Sequence, residues 1–175
     1  MPLPLDPSQG PPKLEEPRMA IVREPLPVAP ARAFELFTSS AELVRWFCHE
    51  AESQQQPGGE VHASWLDEDG EPWDRVGRWI AFEPPHLAVL EWFDVETAQP
   101  QAAENPLAPG ETEPVRRDIL RIAIAPDDQE GCVVTVMSPL LQDSVQLRGD
   151  IAADAVRHGW MMAFAELRIL LASEP

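Results

Sequence analysis

The sequence predicts an α+β domain in which an antiparallel sheet of about six strands packs against one long C-terminal helix. Three observations lead to this prediction. Apolar and polar residues alternate with a period of two through much of residues 61–137, which is typical of half-buried strands. Short turns rich in Gly, Pro and Asp separate these segments, which favours antiparallel hairpins. An apolar stripe with helical spacing occupies the last part of the chain.

The chain is expected to begin with a tail that lies outside this domain. Residues 1–18 contain six prolines and no apolar stretch behind a basic start. This composition predicts an extended, disordered segment and gives no sign of a secretion signal. The domain itself is predicted to run from residue 19 to residue 172.

Two short helices are predicted after the first strand. That strand, Met19–Glu24, is rich in apolar and β-branched residues. Pro30 suits the first turn of a helix, where a missing N–H group has no intrahelical partner to lose. Ser39 and Glu42 have the spacing of a capping box for a second helix. The buried residues of that second helix are predicted to be Leu43, Trp46 and Phe47.

The remaining strands are predicted to follow one another as hairpins. Glu91 interrupts the otherwise apolar strand predicted at Leu87–Phe93. It lies on the face opposite Trp92, so we expect it to be exposed. Arg121 on the neighbouring strand is its expected cross-strand partner. The predicted strands are the segment with Val61, Ala63 and Trp65 on one face, then Val76–Phe82, Leu87–Phe93, Val115–Ala125 and Cys132–Met137.

The last predicted element is a helix over residues 150–172, which lack proline. Its inner face is predicted to consist of Ala153, Val156, Trp160, Ala163, Phe164, Leu167 and Leu171. The opposite face is also too apolar to be left in water, and it carries Ile151, Ala155, His158, Met162, Ala165 and Ile169. Either the proline-rich tail or a second copy of the chain is expected to cover it, and a weak homodimer through Ile151, His158, Met162 and Ile169 is the hypothesis.

Composition excludes several classes of partner. The chain has 175 residues, with 13 Lys and Arg against 30 Asp and Glu, and a formal charge of −17. This charge argues against nucleic-acid binding and disfavours anionic lipid surfaces. No apolar run approaches the length of a membrane span. Two cysteines that are far apart do not suggest a disulfide scaffold, so a cytoplasmic location is expected.

No motif for metal, cofactor or nucleophilic chemistry stands out. The four histidines lie in separate elements without metal-ligand spacing, so no metal and no cofactor is predicted. Cys48 and His49 are adjacent on a helix end and point apart, which makes a thiol nucleophile a poor hypothesis. Cys132 is interpreted as a small buried side chain.

The segment Arg23–Phe47 resembles the opening of START-like (SRPBCC) proteins, and among them relatives of the activator of the heat-shock-protein 90 ATPase. Further marks agree: Pro57-Gly58-Gly59 before a strand, Gly77 followed by the Phe82–Pro85 turn, and Gly159-Trp160 in the last helix. The resemblance implies a helix-grip fold, in which a curved sheet wraps the C-terminal helix and often leaves an apolar cavity. It implies no particular chemistry, because such folds host many functions.

Residues 94–114 differ from what this resemblance implies. They form a long connection with five acidic residues, four prolines and no basic residue. Relatives are expected to have a shorter connection here, so the segment is interpreted as an acidic loop insertion. It is predicted to be mobile, like the tail.

Tryptophans are the main candidates for a site, because large rigid rings on a sheet that faces a helix can line a pocket. The alternative is that they simply fill the core. Trp73 is predicted to lie in a charged turn and is interpreted as part of the rim of the pocket. Gly159 should weaken the helix, so either a close neighbour excludes a side chain there or the helix bends to present Trp160. The predicted ligand-binding residues are Trp46, Phe47, Trp65, Trp79, Trp92, Val156, Trp160 and Phe164.

Two functions from different classes are consistent with these features. The first is non-catalytic binding of a small apolar or amphipathic ligand between the sheet and the last helix. The alternative is a protein-interaction module of the co-chaperone kind, acting in the stress response, as the resemblance implies. A cyclase- or hydrolase-like enzyme comes third, because no acid–base set is recognisable. A cavity larger than about 300 Å³ with a few polar groups would favour ligand binding.

Overall fold

A computed structural model describes residues 19–93, 118–139 and 149–175 of the chain. The predictions of a disordered tail at residues 1–18 and of a mobile insertion at residues 94–114 lie outside the described residues. Within the described part, no helix is long and apolar enough to span a membrane.

Seven strands form a single antiparallel sheet, and the predicted α+β helix-grip architecture is confirmed. The strand order is β1-β7-β6-β5-β4-β3-β2, so the first strand pairs with the last and all other neighbours are consecutive. The elements are β1 Met19–Leu26, α1 Pro30–Thr38, α2 Ser40–Trp46, β2 Glu50–Ser53, β3 Glu60–Leu66, β4 Pro72–Glu83, β5 Leu87–Phe93, β6 Asp118–Pro126, β7 Cys132–Pro139 and α3 Gly149–Ser173.

The sheet has one strand more than the sequence predicted. Strand β2 is polar, short and at the edge, where it pairs with β3, so it carries no apolar alternation to reveal it. Strand β4 is also longer than predicted and begins at Pro72. Trp73 therefore lies in a strand, and its placement in a charged turn was wrong.

The core lies between one face of the sheet and the three helices. Phe164 and Leu167 of α3 are fully buried, as are Trp79 and Val134 of the sheet. Helix α1 adds an apolar face that includes Phe34, which meets Phe82 edge to face with 5.1 Å between ring centroids. Burial of side chains of this size stabilises a fold by about 1.5–3 kcal/mol each, which is why the helices stay on the sheet.

The predicted capping box is wrong in its details. Ser39 is the N-cap of α2, but its side chain makes no cap hydrogen bond. Its backbone N–H donates to the Glu35 carbonyl, so it also closes α1. Glu42 instead binds Arg32 at 2.9 Å and Arg45 at 2.9 Å.

Glu91 is buried, contrary to the prediction that it would be exposed. It does lie on the outer face of the sheet, opposite Trp92 in the alternation, but only 4% of its surface is accessible. Its ion pair is with Arg78 at 3.0 Å, not with Arg121. The register explains the choice, because Arg78 faces Glu91 directly across β4 and β5, whereas Arg121 faces Val89.

Candidate functional site: an aromatic cavity between sheet and helix

An open cavity of about 290 Å³ lies between the helix-facing side of the sheet and the first half of α3. Its volume lies just below the range for ligand pockets, about 300–1,000 Å³, and just below the volume stated above as favouring ligand binding. The described residues that line it are Phe47, Trp65, Trp73, Arg75, Trp92, Leu120, Ser138, Val156, Gly159, Trp160 and Ala163.

Strand β4 supplies one wall through its alternation. Its residues Trp73, Arg75, Gly77 and Trp79 occupy alternate positions and share the helix-facing side. Gly77 is required where it stands, because a Cβ atom there would lie 2.5 Å from the Glu91 carbonyl oxygen and 3.0 Å from the Trp92 ring. The Trp92 ring thus packs across a position that has no side chain.

Aromatic contacts hold this wall in place. Trp65 stacks on Trp73, with ring centroids 4.6 Å apart and planes 18° apart. On its other side it meets Phe47 edge to face at 5.4 Å. The Trp65 indole N–H also donates to the Phe47 carbonyl at 2.7 Å, which fixes the ring and joins β3 to the end of α2.

Helix α3 supplies the opposite wall. Trp160 is half-buried and stacks on Phe47 with centroids 5.7 Å apart. A Cβ atom built on Gly159 would meet no described atom within 4 Å outside the backbone of its own helix. Close approach of a neighbour therefore does not explain this glycine; the missing side chain enlarges the cavity instead.

Deeper between sheet and helix the space is nearly filled. A gap of about 20 Å³ remains beside Trp46 and Trp79. Trp79 is 1% exposed and donates from its indole to Ser53 Oγ at 3.1 Å. Phe164 is 1% exposed and lines neither space.

The eight sequence-predicted site residues therefore divide into three groups. Five line the open cavity, two border only the inner gap and one belongs to the core. The five are Phe47, Trp65, Trp92, Val156 and Trp160; the two are Trp46 and Trp79; the core residue is Phe164.

Sequence reasoning missed two lining residues that matter for chemistry. Trp73 is 47% exposed and stands at the mouth of the cavity, where it acts as both rim and wall. Arg75 is half-buried, and its guanidinium carbon lies 5.0 Å from the centroid of the Trp92 ring. The spacing Trp73-x-Arg75-x-Gly77-x-Trp79 was the available signal, since a strand with this period places all four on one face.

The cysteines have the properties of buried structural residues. Burial raises the pKa of the Cys48 thiol to about 11. It also raises the pKa of Cys132, which is fully buried. Neither is poised as a nucleophile, because the thiolate is the reactive form. Among the described residues, no three His, Cys, Asp or Glu side chains cluster as metal ligands would.

Residues 27–172 match the family model described as Activator of Hsp90 ATPase homolog 1-like protein. A search of curated proteins finds no significant match to the chain.

Solved structures share the fold at low sequence identity. A protein from Rhodobacter sphaeroides is 17% identical, with a TM-score of 0.69 over 91% of this chain and 95% of that chain. A protein from Mesorhizobium loti is 15% identical, with a TM-score of 0.64 over 90% of this chain and 99% of that chain. CalU16 from Micromonospora echinospora is 15% identical, with a TM-score of 0.60 over 90% of this chain and 76% of that chain.

Proposed function

The chain belongs to the family of Activator of Hsp90 ATPase homolog 1-like proteins, of START-like fold, and from this premise we propose that it binds a small apolar or amphipathic molecule without covalent chemistry. The observation that carries the proposal is the open cavity of about 290 Å³ with aromatic walls. Such walls give a flat apolar ligand large contact area at low entropic cost.

The distribution of filled and unfilled space supports this proposal. The inner part of the interface is packed down to about 20 Å³, as expected for a core. The outer part is left open although bulky rings surround it. Gly159 adds to this open space, although a Cβ there would meet no described atom of another element within 4 Å and Ala would favour the helix by about 1 kcal/mol.

The test uses a neutral fluorescent probe, N-phenyl-1-naphthylamine, whose emission rises when it enters an apolar site. We expect saturable binding to the wild-type protein. Gly159 lines the cavity, and a Cβ atom there would meet no described atom of another element within 4 Å, so Gly159→Phe should place its ring in the cavity and abolish binding while the protein stays folded. Leu66→Ala, which truncates an exposed side chain outside the cavity, is the matched control. Absent binding, or binding that Gly159→Phe leaves unchanged, would contradict the proposal.

Family membership favours a second candidate, a protein-interaction module of the co-chaperone kind. The test is the ATPase rate of an Hsp90-type chaperone with and without this protein. Stimulation that persists in the Gly159→Phe variant would favour the interaction module over ligand binding. The cyclase- or hydrolase-like alternative has no supporting observation and is not proposed.

A further inference from the structure

We infer that the ligand of this cavity is a planar aromatic molecule of two or three fused rings, and that the cavity selects it over saturated rings and acyl chains of the same size. The inference rests on the proposed function, because it names the class of ligand for the same cavity. It depends on how four aromatic rings that border the open space are arranged, those of Phe47, Trp65, Trp73 and Trp160.

The first two of these rings form a parallel pair on the sheet. Trp65 of β3 and Trp73 of β4 lie directly opposite each other in the antiparallel register, so their side chains leave the same side of the sheet. Their ring centroids are 4.6 Å apart and their planes are 18° apart. Trp65 is only half-buried and Trp73 is 47% exposed, so ring surface of this pair is accessible from the cavity.

The other two rings form a second parallel pair, on the helix side of the cavity. Trp160 of α3 and Phe47 at the end of α2 have planes 18° apart and centroids 5.7 Å apart. This pair stands roughly perpendicular to the first, because Phe47 meets Trp65 with ring planes 79° apart. Two flat aromatic walls therefore meet at a corner of the cavity.

A corner of this kind suits a flat aromatic ligand. Aromatic rings prefer to pack either parallel and offset or edge to face. A ligand ring that lies parallel to the Trp65–Trp73 pair directs its edge at the Phe47–Trp160 pair, so one position satisfies both preferences. A saturated ring or an acyl chain gains neither contact, although it buries a similar apolar area.

The size of the cavity and the surroundings of Trp92 narrow the class of ligand further. A volume of about 290 Å³ equals that of about ten water molecules at about 30 Å³ each, which is room for two or three fused rings. Trp92 also borders the cavity, but the guanidinium carbon of Arg75 lies over its ring, 5.0 Å from the centroid. One face of Trp92 is thus covered, and the two parallel pairs supply the stacking surface.

Three competitors that differ only in their carbon skeleton test the inference. 2-Naphthalenemethanol, decahydro-2-naphthalenemethanol and 1-undecanol have the same number of carbon atoms and one primary hydroxyl group each. The first is planar and aromatic, the second is a saturated bicycle and the third is a chain. Their dissociation constants are obtained by displacement of N-phenyl-1-naphthylamine, whose own dissociation constant is measured for every variant.

The variants change the Trp65–Trp73 pair at its more exposed member. Trp73→Leu removes the ring and keeps an apolar side chain, whereas Trp73→Phe keeps a smaller ring. Both should fold, because Trp73 is 47% exposed. Phe93→Leu is the matched control, because it removes an exposed ring that does not line the cavity.

We expect the wild type to bind 2-naphthalenemethanol about tenfold more tightly than either saturated alcohol, through one stacked and one edge-to-face contact. If apolar area alone decided affinity, the saturated alcohols would bind at least as well. Trp73→Leu should lower the preference to about threefold, because the stacked contact is weakened, and should change binding of the saturated alcohols less than about twofold. Trp73→Phe should keep most of the preference, and Phe93→Leu should keep all of it.

Failure of this inference differs from failure of the proposed function. If N-phenyl-1-naphthylamine binds but 2-naphthalenemethanol displaces it no better than the saturated alcohols do, the planar ligand is wrong and the proposed function stands. The inference is also overturned if Trp73→Leu leaves the preference unchanged, or if Phe93→Leu lowers it as much as Trp73→Leu does. If the probe does not bind, or if Gly159→Phe leaves its binding unchanged, the proposed function fails and this inference fails with it.

Discussion

The Trp160 ring on α3 lies parallel to the Phe47 ring at the end of α2, with centroids 5.7 Å apart and planes 18° apart. The Phe47 carbonyl oxygen also accepts a hydrogen bond from the Trp65 indole N–H. One residue after α2 therefore connects the long helix to the sheet on both sides of the cavity. These ring contacts and this hydrogen bond help to hold the wall of the cavity, and Trp65 and Trp160 also pack against the main hydrophobic core.

Trp160→Ala should destabilise the protein less than Phe164→Ala does. Both residues are on the inner face of α3, but Trp160 is half-buried and Phe164 is 1% exposed. Loss of a fully buried aromatic ring costs about 3–5 kcal/mol, and we expect about 2 kcal/mol or less for Trp160. Urea denaturation of the two variants makes the comparison. Equal losses near the upper value would show that Trp160 is a core residue and not a cavity wall.

Gly159→Ala and Gly77→Ala should change stability in opposite directions. The Cβ of Ala at position 159 would meet no described atom within 4 Å beyond its own helix backbone, so the helix gains about 1 kcal/mol from the better propensity. Ala at position 77 would place its Cβ 2.5 Å from the Glu91 carbonyl oxygen, which forces β4 and β5 apart. Thermal unfolding of both variants checks this. A destabilised Gly159→Ala protein would mean that the position is more crowded than its surroundings indicate.

Much of the fold could be predicted from the sequence because the period of apolar residues is regular over long segments of the chain. Strand β5 was predicted with its observed bounds, Leu87–Phe93. Helix α3 extends one residue beyond each end of its predicted range. Strand β2 escaped prediction because a short polar edge strand is recognised only through its partner, and its pairing with β3 is a long-range property of the sheet.

The cavity was harder to predict because it depends on which tryptophans are left partly uncovered. The sequence predicts that Trp65, Trp79 and Trp92 belong to strands. It does not reveal that Trp79 is fully buried whereas Trp65 is only partly buried. Arg75 was missed for a local reason. Predicted β4 began at Val76, so the residues before it were not assigned to a face.

The Cys48 thiol should react slowly in the folded protein. Burial raises its pKa to about 11, so at about pH 8 only about one thiol in a thousand is ionised, against about a quarter for an unperturbed cysteine. Reaction with 5,5′-dithiobis(2-nitrobenzoate) should be about 250-fold slower than in urea, the ratio of these two ionised fractions. Cys48→Ser identifies the signal from this residue. A fast reaction that disappears in Cys48→Ser would show that the thiol is accessible and activated.

We predict that a second copy of the chain covers the outer face of α3. Met162 is 56% exposed and Ile169 is 65% exposed, and His158 is exposed on the same face, while the side chain of Ile151 lies outside the described part. Met162→Glu should convert a dimer to a monomer in light scattering, because a charge at an apolar interface must lose its hydration. Leu66→Glu, at an exposed apolar position on β3, should have no effect. A monomeric mass for the wild type at high concentration would disprove the dimer.

The ion cluster that joins Glu174, the residue after α3, to α1 and α2 should make stability depend on pH in the acidic range. Arg32 binds Glu42 at 2.9 Å and Glu174 at 2.7 Å, and Arg45 binds both carboxylates at 2.9 Å. The hydrogen bond from Arg32 lowers the pKa of Glu42, and the hydrogen bond from Arg45 lowers the pKa of Glu174. A carboxylate whose pKa is lower in the folded state than in the unfolded state stabilises the fold above the unfolded value, about 4.3 for glutamate. That stabilisation is lost as the pH falls through the folded value.

Glu42→Gln should therefore lower the free energy of unfolding near neutral pH and have progressively less effect below about pH 4. The loss should be modest, about 0.5–1 kcal/mol, because the cluster is partly exposed and screened by salt. Urea denaturation of the wild type and the variant at several pH values measures the difference. Glu166→Gln removes an exposed carboxylate of α3 outside the cluster and should behave like the wild type throughout. A difference between Glu42→Gln and the wild type that stays constant into the acidic range would show that Glu42 acts through packing, because only its ionised form is held by the two arginines.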